Sequence, residues 1–169
     1  MKQRRIEEED LGPMKLIFNY ENVFYSFFYD DISGCIHRSR EYAMNYVYSG
    51  EMILDNGKQQ IHVGKGECVY IPRDHHITMY KRTFNGERYC GIFLNFTRNF
   101  LREMYAKFGQ CKIPADTSKL KPEVIKLPKT AEITSLFASL TPFFDPEVKP
   151  RDDFMHLKLQ EGLLALLHI

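Results

Sequence analysis

The feature that most constrains this chain is a series of short β-forming runs separated by glycine turns. The segment YAMNYVYSGEMILDNGKQQIHVGKGECVYI, residues 42–71, carries Ser49-Gly50, Asn56-Gly57 and Gly64-Lys65-Gly66 at regular intervals. Asn-Gly favours a tight hairpin because both residues tolerate the positive φ angles that such turns need. A series of short β-forming runs separated by such turns predicts antiparallel β-structure.

The same pattern extends on both sides of that segment. KLIFNY and VFYSFFYD precede it, and HITMYKR and ERYCGIFLNF follow, the last two separated by TFNGE. We therefore expect about eight strands within residues 15–96, forming a compact antiparallel barrel, since parallel strands need long crossover segments that are absent here. Residues 1–14, rich in charges of both signs, are expected to be a flexible N-terminus.

After Phe96 the apolar spacing changes to that of helices, which predicts a helical segment over residues 97–169. One predicted helix, TRNFLREMYAKFG, places five apolar side chains on one face: Phe100, Leu101, Met104, Tyr105 and Phe108. A second, TAEITSLFASLTPFFD, has the stripe Ile133, Leu136, Phe137 and Leu140. The leucine-rich FMHLKLQEGLLALLHI predicts a third helix.

Charge and composition exclude several classes of protein. A formal net charge of +1 argues against direct nucleic-acid binding by these residues. The four cysteines form no CxxC pair, so a zinc ribbon is unsupported, and we expect small, buried, reduced thiols. Without a secretory signal or an apolar run of membrane-spanning length, the sequence predicts a cytoplasmic protein with no membrane partner.

The stretch EYAMNYVYSGEMILDNGKQQIHVGKGECVYIPRDHHITMY, residues 41–80, resembles the N-terminal cupin-type domain of AraC-family transcription regulators. Shared features are an aromatic strand ending in Ser-Gly, an Asn-Gly hairpin, a Gly-x-Gly-Glu turn, and an apolar strand ending in Ile-Pro before a histidine-containing turn. The resemblance implies a mainly β fold, with a cupin-like antiparallel barrel of the double-stranded β-helix type followed by about three helices.

The resemblance also implies a function in transcription regulation. In that family the N-terminal domain receives a signal and often dimerises, and a C-terminal pair of helix-turn-helix motifs binds DNA. We therefore expect a homodimer that responds to a small-molecule effector or a protein regulator, with DNA contacted only through a C-terminal domain absent from this chain. The chain is expected to stop where the family's linker begins.

Catalytic cupins, which hold a metal ion, provide the alternative. Their first-motif ligands fall here on His37, Ser39 and Ala43, and the second-motif histidine falls on His76 or one residue later. Ser39 and Ala43 cannot supply the expected imidazole and carboxylate, and two histidines alone make a poor site. We therefore predict no metal, no cofactor and no enzymatic activity, with a metal-dependent isomerase or dioxygenase as the alternative.

Strand alternation predicts which residues would line a pocket. Residues 37, 39, 43, 45 and 47 share one face, while Tyr42, Met44, Tyr46 and Tyr48 face the helices. The predicted pocket residues are His37, Ser39, Asn45, Val47, Tyr70 and His76. His75 and His76 remain open to three interpretations: hydrogen-bonded turn residues, ligand contacts at the barrel mouth, or metal ligands.

The last helix supplies the predicted dimer surface, because an apolar stripe without an internal partner favours association. Its members are Leu157, Leu163, Leu164 and Leu167. Packing of this helix on the domain's own barrel is the alternative. A further alternative is a protein-gated regulator, in which side chains fill the barrel and the signal is another protein.

Overall fold

The computed structural model describes residues 14–20, 24–29, 32–108, 123–145 and 147–169. Residues 1–13 of the expected flexible N-terminus, together with Cys111, lie outside the described residues. Within the described ranges the chain forms ten strands and three α-helices. The strands are β1 (Met14–Tyr20), β2 (Phe24–Tyr29), β3 (Ile32–Arg38), β4 (Tyr42–Ser49), β5 (Glu51–Asp55), β6 (Gln60–Gly64), β7 (Cys68–Ile71), β8 (His76–Arg82), β9 (Tyr89–Phe96) and β10 (Ile125–Lys126).

The helices follow β9, as the change in apolar spacing predicts, but the short strand β10 lies between α1 and α2 and joins the edge of the six-stranded sheet. They are α1 (Arg98–Phe108), α2 (Ala131–Leu140) and α3 (Asp152–Leu167), with a short 3₁₀ helix at Thr141–Phe144. Thr130 caps α2, because its side chain accepts a hydrogen bond from the backbone N–H of Ile133. The predicted apolar stripe of α2 is confirmed, since all four of its members are buried.

The strands form two antiparallel sheets. The six-stranded sheet has the order β1-β2-β9-β4-β7-β10, and the four-stranded sheet has the order β3-β8-β5-β6. In the described part of the chain the two sheets share no ladder of hydrogen bonds, so the expected cupin-like barrel is not closed at its edges. The expected fold class is confirmed as mainly β, with antiparallel sheets followed by three helices.

Two apolar clusters divide the core. The inner cluster draws on strands of both sheets and comprises Ala43, Val47, Met52, Leu54, Val63, Val69, Ile71, Ile77, Met79, Tyr89, Phe93 and Val124. The helical cluster comprises Met44, Tyr46, Cys68, Tyr70, Ile92, Leu94, Phe96, Phe100, Met104, Leu127, Ile133, Leu136, Phe137, Leu140, Met155, Leu159, Leu163, Ala165 and Leu166. The six-stranded sheet therefore separates the two clusters and contributes to both.

Close packing fixes α3 against this sheet. A Cβ atom at Gly162 would collide with the end of the Leu94 side chain, so glycine lets the helix approach the sheet closely. In α1, Phe100 and Met104 are buried as predicted, but Tyr105 is 71% exposed. Tyr105 therefore lies off the buried stripe of α1, which corrects its predicted position. No helix of the described residues is long and apolar enough to cross a membrane.

Candidate functional site

Strand β4 carries the predicted alternation between the two clusters. Ala43 and Val47 belong to the inner cluster, whereas Met44 and Tyr46 belong to the helical cluster. Asn45 lies between Ala43 and Val47 on the inward-facing side of the strand and is fully buried. The structure thus brings two predicted pocket residues, Asn45 and Val47, onto one wall of the space between the sheets.

Asn45 is incompletely satisfied in its hydrogen bonding. Its Nδ2 donates to the backbone carbonyl of Ile92 at 3.2 Å, while its Oδ1 has no hydrogen-bond partner. A buried polar atom without a partner costs about 1–3 kcal/mol, so such atoms are uncommon and deserve a functional explanation. The Oδ1 atom is an acceptor that a donor group would satisfy.

Lys81 is an inward-facing residue that the sequence analysis missed. It lies on the same face of β8 as Ile77 and Met79, because the three residues are two positions apart, and only 4% of its surface is exposed. Its Nζ lies 5.3 Å from the ring centroid of Tyr89 and 5.4 Å from that of Phe93. Both distances fall within the range of cation–π attraction, so the ammonium group lies against the aromatic wall of the inner cluster.

The aromatic wall depends on a glycine in β9. The hydroxyl of Tyr89 lies where a Cβ atom at position 91 would be, so Gly91 allows the ring to lie along its own strand. The Tyr89 hydroxyl also contacts the sulfur of Met52 at 3.8 Å. Tyr89 and Phe93 consequently face the interior side by side, one on each side of Gly91.

The adjacent histidines His75 and His76 lie at the start of β8, at the mouth between the sheets. His75 and His76 line an open cleft of about 490 Å³, with Asn56, Lys58, Gln59, Glu123 and Val124 as its other lining residues. The Nδ1 atom of His75 lies 3.1 Å from the carbonyl of Arg73. His76 is exposed. The local contact of His75 and the position of both histidines beside the cleft are compatible with turn residues and with ligand contacts at the mouth, so both interpretations stay predictions.

Ser39 holds this mouth in place. It is 2% exposed, and its hydroxyl donates to the carbonyl of Glu41 at 2.5 Å. Its backbone N–H donates to the carbonyl of His75 at 3.0 Å, and its carbonyl accepts from the N–H of Asp74 at 2.7 Å. These bonds give Ser39 a local role in fixing the turn that presents the two histidines.

Tyr70 does not share the inner wall with Asn45 and Val47, which corrects its place in the predicted pocket. It belongs to the helical cluster, stacked near Tyr42 with ring centroids 6.4 Å apart, because its neighbours Val69 and Ile71 take the inward positions of β7. Its hydroxyl is buried without a partner, and burial raises the pKa of this phenol. Tyr70 therefore belongs to the layer between sheet and helices.

The metal-site residues are not brought together in the described part of the chain. No group of three or more histidine, cysteine, aspartate or glutamate side chains there could hold a metal ion. The backbone of His37 pairs with that of Ile77, but its side chain lies outside the described residues. Cys68 and Cys90 are buried free thiols, as predicted for these two.

The exposed face of α3 differs in part from the predicted dimer surface. Leu157 is 57% exposed and Leu164 is 37% exposed, while Leu163 is 5% exposed and Leu167 packs against the helical cluster. Positions 157 and 164 are seven residues apart on one helical face, and 163 and 167 lie on the core side. Leu163 and Leu167 are therefore corrected to core positions, and Phe154, 51% exposed, joins the outer face.

A family model described as the ExsA N-terminal regulatory domain matches residues 42–169. The chain belongs to this family, the N-terminal domains of AraC-type regulators. No curated protein matches the chain by overall sequence.

Solved structures of ToxT share the fold at low sequence identity. ToxT from Vibrio cholerae matches with a TM-score of 0.57 and 11% identity over 85% of this chain. A second ToxT structure, bound to (E)-4-(8-methylnaphthalen-1-yl)but-3-enoic acid, matches with a TM-score of 0.56 and 12% identity over 85% of this chain. In both cases the match covers 55% of ToxT. An ethanolamine utilization protein Q structure from Salmonella typhimurium matches at 10% identity, covering 49% of this chain and 67% of that protein, with a TM-score of 0.39.

Proposed function

We propose that this chain is a signal-sensing and self-associating domain of an AraC-type regulator, and that DNA binding resides in a separate domain. It acts as a binding module and not as an enzyme. A signal bound between the sheets or at their mouth biases the arrangement of two copies. The single observation that carries this proposal is that the six-stranded sheet is a shared wall between the polar groups of the interior and the helices.

Strand β4 links the two sides of that wall. Asn45 faces the interior, while the next residue, Tyr46, stacks on Phe137 of α2 with ring centroids 4.6 Å apart. Two residues further on, the Tyr48 hydroxyl donates to the carbonyl of Phe137 at 2.5 Å. A displacement of β4 by a bound molecule would therefore move the contacts that hold α2.

Strand β9 makes the corresponding link to α3. Phe93 faces the interior beneath the Lys81 ammonium, and the adjacent Leu94 packs against Gly162 of α3. Since α2 and α3 also pack on each other, the wall connects the interior with the outer face of α3. A ligand shifts the equilibrium between two arrangements of the paired copies only if it binds one arrangement more tightly than the other.

The outer face of α3 is the proposed surface between two copies. Phe154, Leu157 and Leu164 have the spacing of three and seven residues that places side chains on one helical face. All three are exposed in the single chain, and covering such an apolar ridge with a second copy removes it from water. A symmetric dimer would bury each copy's ridge against the other's.

A small organic molecule is the preferred signal. ToxT, which shares the fold, binds an aryl butenoic acid in one of its solved structures. A protein regulator is the second candidate, favoured by the exposed His76 and Lys58 beside the mouth cleft, where a partner's side chains could enter.

A reporter experiment tests self-association in its regulatory setting. Residues 1–169 are fused to a monomeric DNA-binding domain that represses a reporter only as a dimer. We expect repression from the wild type, loss of repression from Leu157→Glu with Leu164→Glu, and retained repression from Thr134→Glu with Ala138→Glu on the exposed side of α2. Equal repression by all three proteins at equal abundance would contradict the proposed surface.

A further inference from the structure

We propose that the mouth cleft beside His75 and His76 binds a small amino acid in which a short carbon chain separates an ammonium group from a carboxylate. Glu123 and His75 bind the ammonium group. Lys58 and Gln59 bind the carboxylate. This assignment rests on the proposed function, for which it names the chemical class of the signal.

Three separate segments surround the mouth cleft, which has a volume of about 490 Å³. The tip of the β5–β6 hairpin belongs to the four-stranded sheet, whereas Glu123 and Val124 directly precede β10 at the edge of the six-stranded sheet. The third segment is the turn between β7 and β8, which passes from one sheet to the other. The volume lies within the usual range of ligand sites, about 300–1,000 Å³. A molecule in this cleft therefore contacts both sheets at once.

Two opposite charges line the cleft, and each lacks a partner. Lys58 and Glu123 are exposed, and neither forms an ion pair with any side chain in the part of the chain that the structure describes. They are also too far apart to pair with each other. A ligand that carries both an ammonium group and a carboxylate complements both residues, whereas a ligand with one charge leaves the other residue unpaired.

His75 supplies a second acceptor for the ammonium group. Its Nδ1 lies 3.1 Å from the carbonyl oxygen of Arg73, and because that oxygen can only accept, Nδ1 carries the proton. In the neutral ring Nε2 is then an acceptor. An ammonium group has three N–H donors, so it can bind Nε2 of His75 and the carboxylate of Glu123 together.

The hairpin tip holds the backbone of Lys58 and Gln59 in place at the cleft. The Oδ1 atom of Asn56 accepts hydrogen bonds from the backbone N–H groups of both residues at 2.9 Å. The Asp55 carboxylate accepts another from the N–H of Gly57 at 2.8 Å. The Lys58 ammonium and the Gln59 side-chain amide are both donors, and a carboxylate, which can only accept, requires donors.

The other two segments are also anchored. Asp74 has a φ of +62°, a left-handed conformation that few residues other than glycine adopt. Ser39 holds the turn through two backbone hydrogen bonds, to Asp74 at 2.7 Å and to His75 at 3.0 Å. Val124 is buried in the inner cluster, which anchors the adjacent Glu123. The cleft is therefore preorganised, which lowers the entropic cost of binding a small molecule.

The probe is 4-aminobutyrate, whose three-carbon spacer lets its two ends reach groups on different sheets. Butyrate lacks the ammonium group and butylamine lacks the carboxylate. Dissociation constants are measured by ligand-observed NMR on the full chain, with thermal unfolding to verify that each variant is folded. The site variants are Lys58→Met and Glu123→Gln. Their controls are Lys149→Met and Glu147→Gln, at exposed positions outside the cleft.

We expect saturable binding of 4-aminobutyrate to the wild type at millimolar concentrations. Each single-charge analogue should bind about fivefold more weakly, the upper end of what an exposed ion pair contributes. Lys58→Met should weaken binding of 4-aminobutyrate by about fivefold and leave binding of butylamine unchanged. Glu123→Gln should weaken it by about fivefold and leave binding of butyrate unchanged. Both controls should bind as the wild type does.

Three results would overturn the site. These are no saturable binding of 4-aminobutyrate, equal affinity in either folded site variant, or the same loss of affinity in the matched control. A chain that self-associates through α3 but does not bind 4-aminobutyrate would overturn this inference and leave the proposed self-association standing. A chain that binds it but remains monomeric would keep the site and contradict the self-association.

Discussion

The hydroxyl of Tyr48 on β4 donates a hydrogen bond of 2.5 Å to the backbone carbonyl of Phe137 on α2. Burial raises the pKa of this phenol, so it stays protonated and remains a donor across the physiological pH range. The edge of the Tyr48 ring also meets Phe144 of the 3₁₀ helix, with centroids 5.3 Å apart. One side chain therefore joins the six-stranded sheet to two helical elements.

Removing the Tyr48 hydroxyl should weaken the contact between the sheet and α2 without leaving a cavity. Tyr48→Phe keeps the ring contacts and loses one partly buried hydrogen bond, so we expect the free energy of unfolding to fall by about 1 kcal/mol. Urea denaturation followed by circular dichroism measures this. Tyr105→Phe removes a hydroxyl from a residue that is 71% exposed, and it should change nothing measurable. Equal effects of the two substitutions would contradict the role of the Tyr48 bond.

The Ser-Gly turn after β4 requires glycine for two reasons. Gly50 has a φ of +66°, and a Cβ there would lie 2.6 Å from the Cα of Tyr89 and 2.8 Å from the carbonyl oxygen of Arg82. Gly57 has a φ of +82° with open space around it. We expect Gly50→Ala to lower the free energy of unfolding by about 3 kcal/mol and Gly57→Ala to lower it by about 1 kcal/mol, as measured by denaturant unfolding. Similar losses would mean that the positive φ alone, and not the close contacts of Gly50, accounts for the need for glycine at both positions.

Glu51 makes the stability depend on pH. Burial raises the pKa of its carboxyl, but hydrogen bonds from His62 at 3.0 Å and Arg82 at 2.6 Å outweigh this and hold the pKa below its ordinary value of 4.5. A carboxyl whose pKa is lowered by folding stabilises the fold above its unfolded pKa. That stabilisation is lost as the pH falls through the folded pKa.

Glu51→Gln isolates this contribution. Because both partners are about half exposed, we expect a loss of only about 1 kcal/mol at neutral pH. The difference from the wild type should shrink as the pH falls below 4.5, the region where Glu51 becomes protonated. Thermal melts across that range measure it. A difference that stays constant down to low pH would show that the carboxylate charge is not responsible.

The sequence predicted those parts of the fold that depend on local periodicity. Alternation along β4 correctly separated Val47 from Met44 and Tyr46, and helical spacing correctly identified the buried stripe of α2. Both predictions are correct because the repeat with which side chains face one side is a local property of a strand or helix.

What the sequence did not predict depends on contacts between distant segments. Lys81 shares the inward period of Ile77 and Met79, so alternation in HITMYKR was a usable signal, but lysine is usually assigned to the surface. The mouth cleft needs Glu123 and Val124 to approach His75, which no local pattern encodes. Leu163 and Leu164 look alike in sequence, and only the direction in which α3 packs distinguishes them.

Sedimentation velocity of the chain and its α3 variants tests the central claim most directly. The account predicts that the wild type sediments in a concentration-dependent manner toward twice the 20.0 kDa monomer mass. Leu157→Glu with Leu164→Glu should sediment as a folded monomer, and Thr134→Glu with Ala138→Glu should sediment as the wild type does. A wild type that remains at the monomer mass at all concentrations, or a dimer unaffected by the two α3 substitutions, would contradict it.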